Sequence, residues 1–408
     1  MNSRMRLWKC CATFTHASAK DGSLTAKRLD HIAPFHVMAL LARARELEAT
    51  GRLVVHMEIG EPDFTTPQPI IDAGIKALQE GKTHYTPAVG MAELRHALAR
   101  EYQDQYGVTV DPRRIIITPG ASGALQLILG LLVDPGSEVL MADPGYPCNR
   151  NFVYLYEGEP VSVPVTAQQH YQLSADSVRE YWTDKTVCAL IASPSNPTGT
   201  VISQNALQAL VDVVRARNGV LVVDEIYHGL TYRQRPQTAL ALGDDVFVIN
   251  SFSKYYGMTG WRLGWLVAPE EHVEHLDTLA QNLFLAAPTP AQHAALAAFA
   301  PHTRDILEQR RLAFRQRRDF LLPALKQLGF EIAVEPEGAF YLYADCSAVT
   351  DDSFTFCADL LEKAGVAITP GLDFGRYRAS QHVRFAYTTS MEQLQQGVDR
   401  IASFIGSR

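Results

Sequence analysis

Short apolar runs alternate with stretches of helical periodicity from position 114 onward. Helices are predicted at Ser122 to Leu132 and at Asn205 to Arg217, and the apolar runs are RIIIT, EVLMA, VCALIA, VLVVD, VFVIN and LGWLVA. Strands that are apolar at nearly every position and separated by helices are typical of a parallel sheet covered on both faces. Sites in such sheets lie at the carboxyl ends of the strands, so the residues that follow these runs are candidates for chemistry.

The segments on either side of this region predict further elements. Apolar residues at helical spacing predict a helix from Val37 to Leu47 that ends at Gly51, a suitable C-terminal cap. A helical region from Pro290 to Gly329 contains the basic run RRLAFRQRR, which is predicted to lie on the surface. Beyond it, AFYLYAD, VAITP and HVRFAYT are predicted strands, with helices from Ser353 to Lys363 and from Met391 onward.

The fold class that these patterns predict is α/β. A large domain, residues 65–300, would hold a mostly parallel sheet sandwiched by helices, and a smaller α/β domain would form from the N- and C-terminal segments 29–64 and 301–408. Residues 1–28 carry several basic side chains and no acidic one before Asp21, and we expect them to be a dispensable tail.

Composition and charge narrow the class of partner. With 47% hydrophobic and 20% charged residues, the 408-residue chain is typical of a globular protein. Its 37 basic and 44 acidic residues give a net charge of −7, which does not favour nucleic acid or an anionic membrane, so a small-molecule partner is predicted. The longest apolar stretch, Ala124 to Val133, is about half the length of a membrane span. Six scattered cysteines without a C-x-x-C pair predict no metal site and a cytoplasmic location.

The string SFSKYYGMTGWRLGW places Lys254 in a loop between two predicted buried strands. Burying an ammonium group costs free energy unless pairing or function offsets the cost, so Lys254 is a candidate Schiff-base lysine; an ordinary surface lysine on a turn is the alternative. Asp224 ends the run VLVVD 30 positions earlier, a separation that favours neighbouring strand ends. A carboxylate beside a pyridinium nitrogen and a lysine on an aldehyde are what pyridoxal 5′-phosphate chemistry requires.

Three further strings follow predicted strands. TPGASGALQLIL places a glycine turn before a helix whose free N–H groups can bind a phosphate, although a plain helix start has the same pattern. SPSNPTGT places Asn196 in a turn where its amide can reach a ring oxygen or a substrate, and ADPGYPCNR offers Tyr146 to stack on a planar ring. Each alone is compatible with a structural turn or a core aromatic, but their order after successive strands favours one site.

With these motifs, the sequence resembles the class I and II aminotransferases, the fold-type I pyridoxal-phosphate enzymes related to aspartate aminotransferase. The resemblance covers roughly Leu29 to Phe404. The motifs that carry it are GEPDFTTP, YTPAVGMAELR, GASGAL, DPGYP, SNPTG, DEIY, SFSKYYGMTGWRLGW, GAFYLYAD and VRFAYT.

The resemblance implies a role for each matching residue. Lys254 corresponds to the lysine that forms the internal aldimine and moves a proton between Cα and C4′, and Asp224 corresponds to the partner of the pyridine nitrogen. Tyr227 and Asn196 correspond to the two donors to the cofactor's O3′ oxygen. The remaining implied contacts are with the phosphate (Ala121, Ser122, Ser251, Arg262, and Tyr85 from the second subunit of a homodimer), the ring (Tyr146) and the substrate carboxylate (Arg384, assisted at Gly60 and Asn196).

Together these roles imply an aminotransferase that moves an amino group between an L-amino acid and a 2-oxo acid by a ping-pong mechanism. A pyridoxal-phosphate lyase that catalyses β-elimination from a cysteine conjugate would use the same residues and is the alternative. A regulatory sensor is disfavoured, because roughly 30 residues before Leu29 are too few for a DNA-binding module. No residue matches a second arginine for a distal carboxylate, so the sequence leaves the preferred substrate open.

Overall fold

A computed structural model describes residues 25–233 and 236–407 of the chain. Most of the predicted tail, residues 1–24, therefore lies outside the described residues. The helices are α1 His36–Ala49, α2 Gln68–Gln79, α3 Ala92–Tyr106, α4 Gly120–Leu132, α5 Pro147–Leu155, α6 Ala175–Tyr181, α7 Gln204–Arg215, α8 Val273–Leu283, α9 Thr289–Leu296, α10 Pro301–Gln327, α11 Ser353–Asp359 and α12 Met391–Gly406. The strands are β1 Val55–His56, β2 Ile115–Thr118, β3 Glu138–Asp143, β4 Glu159–Pro164, β5 Thr186–Ala192, β6 Val220–Asp224, β7 Phe247–Ser251, β8 Gly264–Val267, β9 Tyr341–Asp345, β10 Val366–Ala367, β11 Thr369–Pro370 and β12 His382–Ala386.

Seven of these strands form one sheet in the order β2-β8-β7-β6-β5-β3-β4. Strand β8 pairs antiparallel with both of its neighbours, and every other pairing in this sheet is parallel. The predicted α/β class with a mostly parallel sheet is confirmed. Strand β4 was not predicted, because Pro160 and Pro164 interrupt its apolar pattern; it lies at the edge of the sheet, where a missing N–H is tolerated.

Helices cover both faces of this sheet, which explains its continuously apolar strands. Within β2, Ile115 and Ile117 belong to one buried cluster and Ile116 to another on the opposite face. Successive side chains of a strand point to opposite faces, so a strand buried on both sides needs an apolar residue at every position. The sheet therefore presents only its strand ends and edges for chemistry.

The N- and C-terminal segments share a second hydrophobic cluster. Val55 and Met57, from the N-terminal segment, pack with side chains of α10 and α12 and with the antiparallel sheet β11-β12-β9. Strand β1 also pairs in parallel with β10. The division of the chain into two domains and the domain boundaries stay predictions.

In the C-terminal half, the structure adds local detail to the predicted elements. The helical region predicted from Pro290 to Gly329 consists of two helices, α9 and α10, with a break before Pro301. The segment VAITP contributes two short strands to two different sheets, and the helix predicted from 353 to 363 ends in a π-helical turn, Leu360–Ala364. None of the described helices combines the length and apolar composition that a membrane span requires.

The predicted surface position of the basic run RRLAFRQRR is wrong for two of its arginines. Arg317 and Arg318 are buried in the structure. Arg317 forms two hydrogen bonds with the carboxylate of Asp63 and lies over the Phe64 ring, while Arg318 donates to the backbone oxygen of Pro336. A buried guanidinium is tolerated when it is paired in this way. Helix α10 is thereby joined to the loop that follows β1.

Candidate active site

Three candidate residues lie at or just after the carboxyl ends of adjacent parallel strands of the large sheet. Asp224 is the last residue of β6, Lys254 follows the end of β7, and Asn196 follows the end of β5. Strand β6 lies between β5 and β7, and all three point the same way, so their carboxyl ends meet at one edge. The neighbouring strand ends inferred from the separation of Asp224 and Lys254 are confirmed.

Lys254 is half-buried and its ammonium group faces this edge. Its Nζ donates a hydrogen bond to the backbone oxygen of Gly60 at 2.7 Å. Burial lowers the pKa of Lys254 to about 8, because desolvation disfavours the charged amine; the nearby Glu61 carboxylate acts in the opposite direction, and the Arg384 guanidinium adds to the lowering. A lysine with this pKa is partly neutral near physiological pH and is therefore a competent nucleophile and base.

Asp224 lies buried near Lys254. Desolvation raises the pKa of this carboxyl group to about 6, and the hydrogen bond from the Ile226 backbone N–H and the charge of Lys254 limit the rise. The carboxylate is therefore mostly ionised at neutral pH. A buried anion in this position fits a cationic ring nitrogen, which would supply the missing positive partner.

The start of helix α4 is built to receive an anion. Its first residues, Gly120, Ala121 and Ser122, leave backbone N–H groups without helical partners. A Cβ built on Gly120 would lie 2.6 Å from Nη2 of Arg262, so the guanidinium stands directly beside this helix start. Strand β8 also approaches closely, since a Cβ on its Gly264 would lie 2.7 Å from the carbonyl carbon of Gly120. The helix dipole and the guanidinium together fit a phosphate group.

Ser251 lies close to the start of helix α4 as well. It pairs with Gly264 between β7 and β8, and its hydroxyl donates to the Ser253 hydroxyl at 2.9 Å. The structure therefore brings the predicted phosphate residues Ala121, Ser122, Ser251 and Arg262 to one place. Ser253 was not singled out from the sequence, although the motif SFSK contains it.

Arg384 is a buried cation, only 4% exposed, at the other end of the site. Its guanidinium donates to Oδ1 of Asn196 at 3.0 Å and to the backbone oxygen of Glu58. In the described part of the chain its hydrogen-bond partners include no carboxylate, and its Nε has no partner. A buried guanidinium with an unused N–H and no paired anion fits a substrate carboxylate.

The predicted tyrosines occupy different places. Tyr227 is buried, and its ring centre lies 5.9 Å from the Lys254 ammonium group. Tyr146 stands directly before α5 with its ring 6.3 Å from that of Phe35. Tyr85 is 82% exposed, and in the described part of the chain it forms no hydrogen bond or ring contact with the other candidates. The described residues of one chain therefore leave Tyr85 outside the candidate site.

Aromatic residues around Arg384 and Tyr227 were missed by the sequence reasoning. The guanidinium carbon of Arg384 lies 4.3 Å from the centre of the Tyr341 ring and 4.7 Å from that of Phe374. Phe340 packs edge-on against Tyr227. The motif GAFYLYAD contains Phe340 and Tyr341, but alternation along a strand does not reveal which ring contacts a distant arginine.

The lowered pKa of Lys254 predicts a distinctive pH dependence of labelling. In the cofactor-free protein, the neutral fraction of Lys254 should rise as the pH rises through about 8. A solvated lysine in a peptide has a pKa of about 10.4. Reductive methylation measured by peptide mass mapping across this pH range should therefore show an inflection near pH 8 at Lys254. An inflection at the value of a reference peptide would contradict the burial argument.

The fold and the arrangement of these residues define an enzyme of the aspartate aminotransferase fold. The family described as "Aminotransferase class I and II" matches residues 52–401, and the chain belongs to this family. It is 38% identical to the (5-formylfuran-3-yl)methyl phosphate transaminase of Methanocaldococcus jannaschii, over 94% of this chain and all of that protein. It is also 38% identical to the valine–pyruvate aminotransferase of Mycobacterium tuberculosis, over 92% of this chain and 97% of that one.

A solved structure agrees with the sequence relatives. The crystal structure of an aminotransferase from Mycobacterium tuberculosis superposes with a TM-score of 0.91 at 37% identity, and the match covers 95% of this chain and all of that chain. The family membership and the aminotransferase class predicted from the sequence are confirmed. The relatives are named for different substrates, so family membership does not identify the substrate of this chain.

Proposed function

We propose that the chain is a pyridoxal 5′-phosphate-dependent aminotransferase that moves an amino group between an L-amino acid and a 2-oxo acid by a ping-pong cycle, with Lys254 covalently carrying the cofactor. The observation that carries the proposal is the position of the half-buried Lys254 close to both the buried Asp224 carboxylate and the buried Arg384 guanidinium. Family membership supports the reaction class.

The residues of the site fit the parts of this cofactor. The start of α4 and the Arg262 guanidinium would hold the phosphate of the cofactor. Asp224 would pair with the ring nitrogen. Tyr227 and Asn196 would donate hydrogen bonds to the ring oxygen. Tyr146 would stack on its ring. When bound, the cofactor supplies an aldehyde that combines with amines and a ring that accepts the electrons of a broken Cα–H bond.

The protein side of the reaction follows from two side chains. Arg384 would hold the α-carboxylate through two parallel N–H bonds, which fixes the direction of the substrate's Cα–H bond. Burial lowers the pKa of Lys254 to about 8, so a fraction of this side chain is neutral near physiological pH. In the neutral form Lys254 would remove the proton from the substrate Cα and later return a proton to the bound reactants. After the first product has left, a 2-oxo acid would bind as the second substrate. Arg384 would again hold its carboxylate, and Lys254 would return a proton to its Cα.

Half-reactions with single amino acids test the proposed function. Each L-amino acid is mixed with the loaded protein without any 2-oxo acid, and the visible absorbance and the released products are measured. A transaminase releases one equivalent of the matching 2-oxo acid per site while the yellow absorbance is lost, and a second 2-oxo acid restores it. Continuous release of pyruvate and ammonia from a cysteine conjugate, with the absorbance unchanged, would instead favour the lyase.

We also propose that the protein is a homodimer with shared active sites. Tyr85 is exposed, and so are two apolar side chains of α2, Ile75 and Leu78, which are 48% and 57% exposed. These segments lie together on α9, because the residue after Tyr85, Thr86, accepts a hydrogen bond from Gln292 of α9, and Gly74 of α2 packs against Ala294 of the same helix. A second copy of the chain would cover this surface and bring Tyr85 to the partner's phosphate site.

The double substitution Ile75→Glu and Leu78→Glu should produce a monomer. Two carboxylates on an apolar surface must lose their hydration when a partner covers them, so association is disfavoured. Light scattering after size exclusion should give the mass of one chain, and transaminase activity should fall because Tyr85 no longer reaches a second site. Leu53→Glu, at another exposed apolar residue that is 77% exposed and does not belong to α2, is the control. A dimeric double variant would disprove this surface as the interface.

A further inference from the structure

Tyr341 stands where three parts of the site meet. It begins strand β9 and is 1% exposed. Its hydroxyl oxygen lies 3.0 Å from the hydroxyl oxygen of Tyr227, and its ring lies against the guanidinium of Arg384 at 4.3 Å. None of the roles assigned above belongs to this residue.

The loop that contacts Lys254 is shaped around the same hydroxyl group. A Cβ added at Gly60 would overlap the Tyr341 hydroxyl oxygen, so only glycine leaves room for it. The backbone oxygen of Gly60 accepts the hydrogen bond from the Lys254 ammonium group. Tyr341 therefore touches Tyr227 and Arg384 directly and Lys254 through Gly60.

We propose that Tyr341 is a positioning residue of the transaminase site: its ring fixes the Arg384 guanidinium for the substrate carboxylate, and its hydroxyl orients the Tyr227 hydroxyl toward the ring oxygen of the cofactor. This inference rests on the proposed function. It assigns two separable tasks to one side chain, the first to the ring and the second to the hydroxyl group.

The Tyr341 ring supports the guanidinium of Arg384 from one side, in addition to the hydrogen bonds that the guanidinium donates to Asn196 and Glu58. The Arg384 guanidinium lies within 4.3 Å of the Tyr341 ring centre and 4.7 Å of the Phe374 ring centre, and its Nε lacks a hydrogen-bond partner among the described residues. A cation–π contact is stronger when the cation is desolvated, as it is here. Loss of the ring should therefore weaken the binding of carboxylate substrates.

The Tyr341 hydroxyl determines which acceptor the Tyr227 proton can reach. When Tyr341 donates to the Tyr227 oxygen, the proton of Tyr227 remains free for another acceptor, and each hydrogen bond in such a chain strengthens the next. Burial raises the pKa of both phenols, so both keep their protons over the working pH range. Loss of the Tyr341 hydroxyl should thus make Tyr227 a weaker donor to the cofactor oxygen.

Two substitutions separate these tasks. Tyr341→Phe keeps the ring and removes the hydroxyl group, whereas Tyr341→Leu removes both. The matched control is Tyr387→Phe, because Tyr387 is also fully buried in the same hydrophobic cluster and its hydroxyl also contacts another tyrosine, Tyr232, at 3.5 Å. All three variants are loaded with the cofactor and titrated with pH while the visible absorption band is recorded.

For Tyr341→Phe, the pH midpoint of the visible band should rise by about half a pH unit or more, since one hydrogen bond of ordinary strength is withdrawn from the donor that stabilises the cofactor oxygen. Its KM for the amino acid should stay within about twofold of the unmodified protein, because the ring remains over Arg384. Tyr341→Leu should raise this KM about tenfold. Tyr387→Phe should change neither quantity.

The outcomes distinguish this inference from the proposed function. An unchanged midpoint in Tyr341→Phe, or an equal rise in Tyr387→Phe, would overturn the positioning role and leave Tyr341 as a core aromatic. If Tyr341→Leu does not fold, the pH midpoint of Tyr341→Phe alone tests the positioning role. If the unmodified protein shows no visible band after loading, the proposed function itself fails.

Discussion

Replacing Lys254 with alanine should lower the transaminase kcat by about 10⁴-fold or more, because under the proposed function the substitution removes both the covalent attachment point and the base that moves the Cα proton. Lys254→Arg should be equally inactive. Arginine keeps the positive charge, but its pKa above about 12 prevents it from acting as a base or nucleophile at neutral pH. Steady-state rates with an amino acid and a 2-oxo acid measure the effect.

The control for this prediction is Lys363→Ala. Lys363 is exposed and pairs with Asp359 one helical turn away, so its loss should leave the rate within about twofold. Thermal unfolding of the cofactor-free variants checks that both still fold. Substantial activity in Lys254→Ala, with normal activity in the control, would mean that another lysine performs the chemistry.

Replacing Arg384 with leucine should lower kcat/KM by about 10²- to 10³-fold, because a buried, bidentate bond to the substrate carboxylate contributes about 3 to 4 kcal/mol. The fall should come chiefly from a higher KM for both the amino acid and the 2-oxo acid, since both carry this carboxylate. Arg384→Lys should recover little of the loss, because a single ammonium group cannot reproduce the planar fork.

Arg378→Leu is the matched control, since Arg378 lies shortly before the same strand but is about half exposed and pairs with Asp345. This variant should keep its kcat/KM within about twofold. The cofactor absorption band of Arg384→Leu should remain, because the residue is placed at the substrate end of the site. Equal losses in both variants would point to general damage and would contradict the carboxylate role of Arg384.

The part of the site on the parallel strands was predictable for a physical reason. Asp224, Lys254 and Asn196 each follow an apolar run, and such runs must be strands of a sheet buried on both faces. Because parallel strands bring their carboxyl ends to one edge, residues that follow successive strands along the chain lie close together in space. The helix start at Gly120 follows the same rule.

Contacts between distant segments were not predictable in this way. Tyr341 meets Tyr227 across 114 positions, and Arg317 meets Asp63 across 254. Neither strand alternation nor charge content reveals such a partner, so Arg317 was expected on the surface and Tyr341 was given no role. Strand β4 was missed because its prolines are tolerated only at a sheet edge, and edge position is itself a tertiary property.

The most direct test of the central claim is the site of covalent attachment in the unmodified protein. The protein is loaded with pyridoxal 5′-phosphate, reduced with borohydride, digested and mapped by mass spectrometry. The account predicts a stoichiometric adduct on the peptide that contains Lys254 and on no other peptide. An adduct on a different lysine, or no adduct although the cofactor is bound, would contradict it.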